Sequence, residues 1–515
     1  MKKNLCLHLA FWTGLTSLVY EIFSVKVLFL YFPETIHAVS ITLSSFLAGL
    51  AFSSLFFSRR IRPDRTNIRK VLSFMQIALI AYVFLFLRKY YIWVPQILDA
   101  LSSWVPSAPA VQAFLRIAFV WFYLFIPAFF IGGSFPILAG LFLRNVKQGV
   151  QDTGLVYFWD TCGAIVGALL AGFWLVPHIG LAHALWFPLL INSGIVFVLL
   201  WSWPKRIGFL LFLAAGCAFL FLESHLSESQ RKVWLPYEPR FGNILFQEPS
   251  PFGVVTVGEQ TLHFKGSKSL FVNYRDMCNS AQHVSEERLG RLVGAHLPKA
   301  AHALNIGLGC GFTAAAVTDA ATLARLDIAE INPIIVEAAE RFFQNETAHV
   351  LTKPSTHLRV ADGAAFIRQT DERYDAIIVD IEEVSIVYSS PLYTADYFRI
   401  FKEHLKPDGV LGFWAIGNGV EFGKILYNSL KSEFPYVYIN KNANQHQFYA
   451  SDRALDIPFS GPAEEKAVSE ILSHPLTEIN TLENRALEKR YNIAEVFRLP
   501  EPSFDEFISE HSKFK

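Results

Sequence analysis

The chain falls into two regimes of hydrophobic patterning. Up to about residue 222, long apolar runs are separated by short polar loops; beyond it the apolar runs become short and alternate with amphipathic stretches. A helix that crosses a bilayer needs about 20 mostly apolar residues. The pattern predicts such spans at Leu5–Phe32, Ala38–Phe57, Val71–Leu87, Phe114–Phe142, Thr153–Val176, Leu181–Trp201 and Ile207–Leu222. The fourth contains Pro127, Gly132, Gly133 and Pro136 in "PAFFIGGSFP" and reads as one broken span or two, whereas the last has only 16 residues. The expected count is six to eight.

After Leu222 the polar run "ESHLSESQRK" marks a boundary. The segments "FGVVTV", "TLHF" and "SLFVNY" then alternate with period two between turn residues, which predicts a small antiparallel sheet. From Ala303 strand-like and helix-like stretches alternate. Strands are expected at "ALNIGLG", "ARLDIAEI", "HLRVADG", "YDAIIVDI" and "GVLGFWAI", and helices at "PIIVEAAERFF" and "TADYFRIFKEHL". That alternation implies an α/β fold, a doubly wound, parallel, Rossmann-like sheet of the methyltransferase type. The expected organisation is a membrane α-helical bundle over 1–222 and a small β subdomain with a linking helix over 240–300. A nucleoside-binding domain over 301–455 and a helical tail over 456–515 complete it.

Charge sharpens the division. Residues 1–222 carry 16 Lys/Arg against 6 Asp/Glu, and the remainder 29 against 39, so a neutral total hides two opposite halves. The basic residues sit in short loops, not on one patch, so no nucleic-acid partner is expected. The loop "RRIRPDRTNIRK" should face the cytoplasm by the excess of Lys and Arg found there. Seven spans would then leave the second half outside, six or eight inside. Within the spans, Glu21 and Asp160 are costly in a bilayer and face a bundle interior, an interface or a polar path; "GAIVG", Gly163 to Gly167, has the spacing of close helix packing. The five cysteines form no disulfide framework and no metal-binding spacing, so neither a bridge nor a metal is expected. The apolar run after Met1-Lys2-Lys3 lacks a small-residue cleavage site, so no cleaved signal peptide is expected.

Candidate chemistry lies at the carboxyl ends of the predicted strands, where open α/β sheets bind ligands. "NIGLGCG" supplies Gly307, Gly309 and Gly311 for a tight turn that lets a ligand approach the backbone. Glu330 follows Gly311 by 19 residues, the placing of an acid that accepts from ribose hydroxyls. Asp362 and Gly363 in "ADG" end the third strand, where an acid can meet an adenine amino group. No Walker-type Lys-Ser/Thr follows the turn, which argues against a nucleoside triphosphate. Each acid also fits a solvated strand end. "IIVDIEEVS" puts Asp380 at the fourth strand tip with Glu383 three residues later; two carboxylates there suit a cationic amine, one of them as general base, or merely hold a loop.

Taken in order, "SPFGVVTV", "NIGLGCG", "DIAEINPIIVEAAERFF", "ADGAAFI", "YDAIIVD" and "PLYTADYFRIFKEHLKPDGVL" resemble the spermidine synthase family of aminopropyltransferases. "GLTSLVYEIFSVKVLFL", "GGSFPIL" and "GLVYFWDTCGAIVGALLAGFWLVPHIGL" are similar to the integral-membrane segment fused to many bacterial members. The resemblance implies transfer of an aminopropyl group from decarboxylated S-adenosylmethionine, or use of S-adenosylmethionine itself, to a small-molecule amine in polyamine biosynthesis. It implies Gly307, Gly309 and Gly311 around the sulfonium, Glu330 on the ribose, Asp362 with Gly363 at the adenine, Asp380 as base and Glu383 as a second amine-binding acid. It implies a bacterial inner-membrane protein in contact with the lipid bilayer, with its catalytic domain in the cytoplasm, and leaves a homodimer open. The chain departs from the family in four places. Cys310 stands where an aspartate usually grips the aminopropyl ammonium, and no Tyr-His-Glu is recognisable in "SEERLGRLVGAHLP". Asn332 replaces an aspartate, and the acid pair reads Asp380-Ile-Glu-Glu383. An S-adenosylmethionine-dependent methyltransferase and a non-catalytic nucleoside- or polyamine-binding transporter or sensor are the alternative readings.

Overall fold

The computed structural model describes residues 3–31, 36–60, 67–87, 97, 109–142, 149–179, 184–200, 241–381 without 262–263 and 274, and 389–487 without 418 and 443–444. Two compact units emerge, one over Met1–Phe32 and Ile36–Glu238, the other over Pro239–Asn492.

The first unit contains α1 (Lys3–Tyr31), α2 (Ile36–Arg60), α3 (Ile68–Tyr82), α4 (Pro109–Gly132), α5 (Ser134–Phe142), α6 (Gly149–Leu170) and α7 (Trp186–Leu199). Among the described residues, five stretches are long and apolar enough to cross a membrane: Lys3–Lys26, Val39–Arg60, Ile68–Leu87, Phe114–Gly140 and Gln151–Val176. The fourth runs through α4 and α5, which meet at Gly133, so "PAFFIGGSFP" belongs to one candidate span interrupted by a turn. α7 has 14 residues and is shorter than a span; the seventh expected run lies outside the described residues.

Small residues set how near these helices come. A methyl group on Gly163 would lie 1.9 Å from the Phe11 carbonyl oxygen, and one on Gly14 2.0 Å from that of Asp160. α1 and α6 therefore touch backbone to backbone, the packing expected of "GAIVG". Phe52, Phe74, Phe114 and Phe173 point away from the bundle, each more than half exposed. Inside it, Asn192 of α7 donates to the Tyr20 hydroxyl of α1 at 3.0 Å, a buried polar contact between two helices.

The second unit opens with a four-stranded antiparallel sheet in the order β1 (Phe241–Ser250), β2 (Gly253–Gln260), β3 (Lys268–Val272), β4 (Arg275–Asn279). β2 and β3 match the alternating runs "FGVVTV" and "SLFVNY". "TLHF" is not a strand in its described positions, Thr261 and Phe264. α8 (Val284–Gly294) leads into a seven-stranded sheet made of β5 (Ala301–Ile306), β6 (Leu323–Glu330), β7 (Thr356–Val360), β8 (Tyr374–Val379), β9 (Leu405–Ile416), β10 (Tyr436–Asn442) and β11 (Gln445–Ser451). Its order is β10-β11-β9-β8-β5-β6-β7. The five expected strands are parallel, but β11 pairs antiparallel with β9 and β10 with β11. The sheet is mixed, not wholly parallel. β10 and β11 are joined by a short connection, and a short connection can only reverse the chain.

Helices α9 (Phe312–Ala320), α10 (Pro333–Phe342), α11 (Gly363–Gln369), α12 (Ala395–His404) and α13 (Gly419–Lys431) follow the strands, and α14 (Pro462–Ser473) comes after β11. Their starts are written locally. Asn332 accepts from Ile334 N with Pro333 behind it, Asp362 accepts from Ala364 N, and Thr394 accepts from Tyr397 N. The central strands β5, β8 and β9 are buried on both faces, as a parallel core requires, whereas the edge strand β7 is half-buried to exposed. On β8, Ala376 and Ile378 enter one core with Leu289, Val293 and Trp414, while Ile377 and Val379 enter the other with Phe398, Phe413 and Ile425.

Candidate functional site

The glycine turn leaves β5 and enters α9. Gly307 and Gly311 have φ of +89° and +91°, a region in which a side chain is strained. Space closes Gly307 as firmly as its torsion does: a methyl group there would lie 2.4 Å from the Asp380 carbonyl oxygen. At Gly309 the same test meets only the Cys278 sulfur, 3.9 Å away, so that side of the turn is open. Gly363 is closed for another reason, the Ile306 side chain 2.2 Å from where its Cβ would be.

Glu330 ends β6 and is 5% exposed. Its Oε2 accepts from Leu308 N at 2.9 Å and its Oε1 from Asn332 N at 2.8 Å. The carboxylate thus pins the glycine turn to the start of α10, a task the sequence did not reveal. Burial lifts its pKa to about 7; the two backbone N–H groups oppose that rise and nearby Asp380 adds to it. Asn332, in turn, donates through Nδ2 to the Ser250 hydroxyl at 3.0 Å, tying the small sheet to this corner. Asp362 caps α11 through Oδ1 and Ala364 N at 2.8 Å.

Asp380 follows the last residue of β8 at the edge of the turn. Trp414 of β9 donates from Nε1 to its Oδ1 at 2.9 Å. Burial raises its pKa to about 6, opposed by Thr313, Trp414 and Asn305. Only the tryptophan bond has hydrogen-bonding geometry: the Thr313 hydroxyl is buried without a partner among the described residues, and Asn305 donates its Nδ2 to Gly307 O at 2.6 Å, which leaves its Oδ1 buried and unpartnered. Both residues are 0% exposed. Buried polar atoms without partners are rare and mark a place where something else bonds. Glu383 lies outside the described residues. The structure therefore brings Gly307, Gly309, Gly311, Glu330 and Asp380 to one corner, with Asp362 and Gly363 at the end of the neighbouring strand.

No disulfide was expected, yet Cys278 of β4 and Cys310 of the turn are bonded, with Cα atoms 6.1 Å apart. Their separation of 32 positions conceals a contact that exists only because the small sheet docks beside the turn. Both sulfurs share a core with Phe246, Val257, Phe312 and Phe343. Glu286, in the first turn of α8, is a further titratable group that the sequence did not flag. Surrounding protein raises its pKa to about 8; its own backbone amide opposes the rise, while Asp380, Asp276 and Glu287 add to it.

Residues 282–431 match the family model described as the spermine/spermidine synthase domain. The chain carries a spermine/spermidine synthase domain. A polyamine aminopropyltransferase of Oceanobacillus iheyensis is 24% identical over 312 residues, 56% of this chain and 58% of that protein. One of Sulfolobus acidocaldarius is 26% identical over 200 residues, 38% of this chain and 65% of that protein. A putrescine N-methyltransferase of Nicotiana tabacum is 34% identical over 116 residues, 22% of this chain and 32% of that protein. The chain thus spans less than two thirds of the length of each. The match begins in the connection before α8 and ends with α13, so it encloses the turn, Glu330, Asp362 and Asp380 but leaves out Cys278.

The bridge closes a loop of this length against an unfolded chain at a cost in freedom worth about 3–4 kcal/mol. Replacing Cys310 with Ser, or reducing the wild type, should lower the thermal midpoint of the synthase domain, followed by circular dichroism in detergent. Equal midpoints for oxidised and reduced protein would show that the bridge does not form.

Proposed function

We propose that the synthase domain transfers an aminopropyl group from decarboxylated S-adenosylmethionine to a small-molecule amine. The observation that carries this reading is the buried Asp380 at the glycine turn, with unpartnered Thr313 and Asn305 atoms beside it. The glycine turn would surround the sulfonium, Glu330 would hold the ribose end, and Asp362 with Gly363 the adenine. The amine loses a proton to Asp380 while its nitrogen bonds to the methylene carbon next to sulfur. The carbon–sulfur bond breaks with its electron pair going to sulfur, which leaves as neutral methylthioadenosine. Trp414 fixes one oxygen of Asp380 and leaves the other for the proton. Glu383 is the second amine-binding acid in this scheme.

Methyl transfer from S-adenosylmethionine to an amine is the second reading. What favours it is the 34% identity with a putrescine N-methyltransferase over 116 residues, together with Cys310 at the family's aspartate position.

The apolar outer faces of the first unit support its placement in a bilayer, the bacterial inner membrane on this reading, with lipid as its partner. The synthase domain then faces the cytoplasm, where adenosylmethionine compounds are made, and a homodimer is its assembly. One observation favours the other side of the membrane: disulfides persist in oxidising compartments, and Cys278 is bonded to Cys310. A reporter fused after Lys515 reads the side directly. Signal from a reporter active only outside the cytoplasm would overturn the cytoplasmic placement.

Asp380 works as a base only when ionised, so turnover should fall as pH drops through about 6. Asp380→Asn should cost about 10²–10⁴-fold in kcat and remove that acid limb. Nucleoside binding by calorimetry should stay, because an asparagine oxygen still accepts from Trp414. Wild-type turnover in Asp380→Asn would eliminate the mechanism.

A further inference from the structure

The position in the glycine turn that could have carried an acid is filled by a sulfur bridge, yet negative charge gathers beside it from other elements. Asp380 comes from the end of β8, Asp276 from β4 two residues before the bridged Cys278, and Glu286 from the first turn of α8. α8 is held hard against α9: a methyl group on Gly290 would lie 2.5 Å from the Thr313 carbonyl oxygen. Two turns earlier, the His283 ring stacks on Phe312, the first residue of α9, with centroids 4.1 Å apart and planes 12° apart. Glu286 lies between these two contacts along α8, so it is fixed beside the N-terminal end of α9 and hence beside the turn.

The other charged groups of this helix are taken. Glu287 pairs with His283 at 3.0 Å and with Arg291 at 3.0 Å, and Arg288 pairs with Glu464 at 2.9 Å. The Glu286 carboxylate makes no ion pair and no side-chain hydrogen bond with another residue among the described residues. Glu286 is crowded by protein yet partly exposed, and its charged neighbours include Asp380, Asp276 and Glu287. A second observation points to a ligand at the same place. Thr313, whose backbone Gly290 touches, keeps its hydroxyl buried and unpartnered beside Asp380, and Asn305 keeps its Oδ1 so.

We propose that Glu286 binds the ammonium of the donor's aminopropyl chain, taking over the task that an acid in the glycine turn would perform, and so selects against a donor that carries a carboxylate. The inference rests on the aminopropyl reading of the site. Like charge disfavours a carboxylate there, whereas an ammonium meets an unpaired acid. The donor's sulfonium and ammonium are three carbons apart, so binding both fixes the methylene carbon that the amine attacks.

The test compares three compounds by calorimetry on the full-length protein in detergent. Decarboxylated S-adenosylmethionine has the ammonium, methylthioadenosine lacks it, and S-adenosylmethionine has the ammonium and a carboxylate. Glu286→Gln should lose about tenfold or more of its affinity for the decarboxylated donor, the scale of one charge-assisted bond. Its affinity for methylthioadenosine should stay within about twofold, which also shows that the variant is folded, and its preference for the decarboxylated donor over S-adenosylmethionine should shrink. Glu286→Asp, which keeps the charge, should recover part of the loss and serves if the glutamine variant does not fold. Equal losses for all three compounds, or none, would overturn the proposal. A wild type that binds S-adenosylmethionine and not its decarboxylated form would instead overturn the aminopropyl reading on which it rests.

Discussion

The hydrogen that Gly307 carries in place of a side chain is what allows the end of β8 to pass the glycine turn. Asp380 N donates to Ile306 O at 2.8 Å, and Gly307 N to Ala329 O at 2.9 Å, so β5 is bonded on both sides at the level of the turn. A methyl group at that α-carbon would lie 2.4 Å from backbone and could be relieved only by moving a strand. From this close approach follow the burial of Asp380 and its contact with Trp414. The electrostatic coupling of Asp380 to Glu330 has the same origin. The carboxyl pKa values near 6 and 7 are consequences of that crowding: burial disfavours charge at both acids, and Asp380 adds to the rise at Glu330.

Strain of this kind is held by local bonds. Glu330 spends both oxygens on backbone N–H groups at opposite ends of the corner, Leu308 in the turn and Asn332 before α10. Asn332 passes the connection to Ser250 of the small sheet, and the Cys278–Cys310 bond makes a second link between that sheet and the turn. The small sheet is therefore part of the site's wall. A glutamine at position 330 would turn a donor toward one of those N–H groups, so its cost falls on folding as well as on any ribose contact.

The parallel strands were legible because two-sided burial writes continuous apolar runs such as "YDAIIVDI", and the starts of α10 and α12 because Asn332 and Thr394 cap within two or three residues of themselves. The glycine turn, Glu330, Asp362 and Asp380 were legible for the same reason: each ends a predicted strand. What escaped notice is non-local. Trp414 looks like any strand residue until β9 lies beside β8. Cys278 and Cys310 look unrelated until the small sheet docks. Glu286 sits in a segment with no recognisable family signature, and only the packing of Gly290 and His283 on α9 shows which way the helix faces. The antiparallel β10 and β11 were missed because their half-polar pattern, "YVYINKN" and "QHQFYAS", resembles a loop as much as an edge hairpin. In the membrane-like unit, length and apolarity gave candidate spans, while a close helix contact, though not its partner α1, was readable from the spacing of Gly163 and Gly167.

On the proposed reading, this corner moves a three-carbon amine and not a methyl group. Mass spectrometry of a reaction containing the purified protein, an equal mixture of S-adenosylmethionine and its decarboxylated form, and a panel of di- and polyamines tests it directly. The account predicts methylthioadenosine as the nucleoside product and an amine heavier by one aminopropyl unit. S-adenosylhomocysteine with an amine heavier by one methyl group would contradict it.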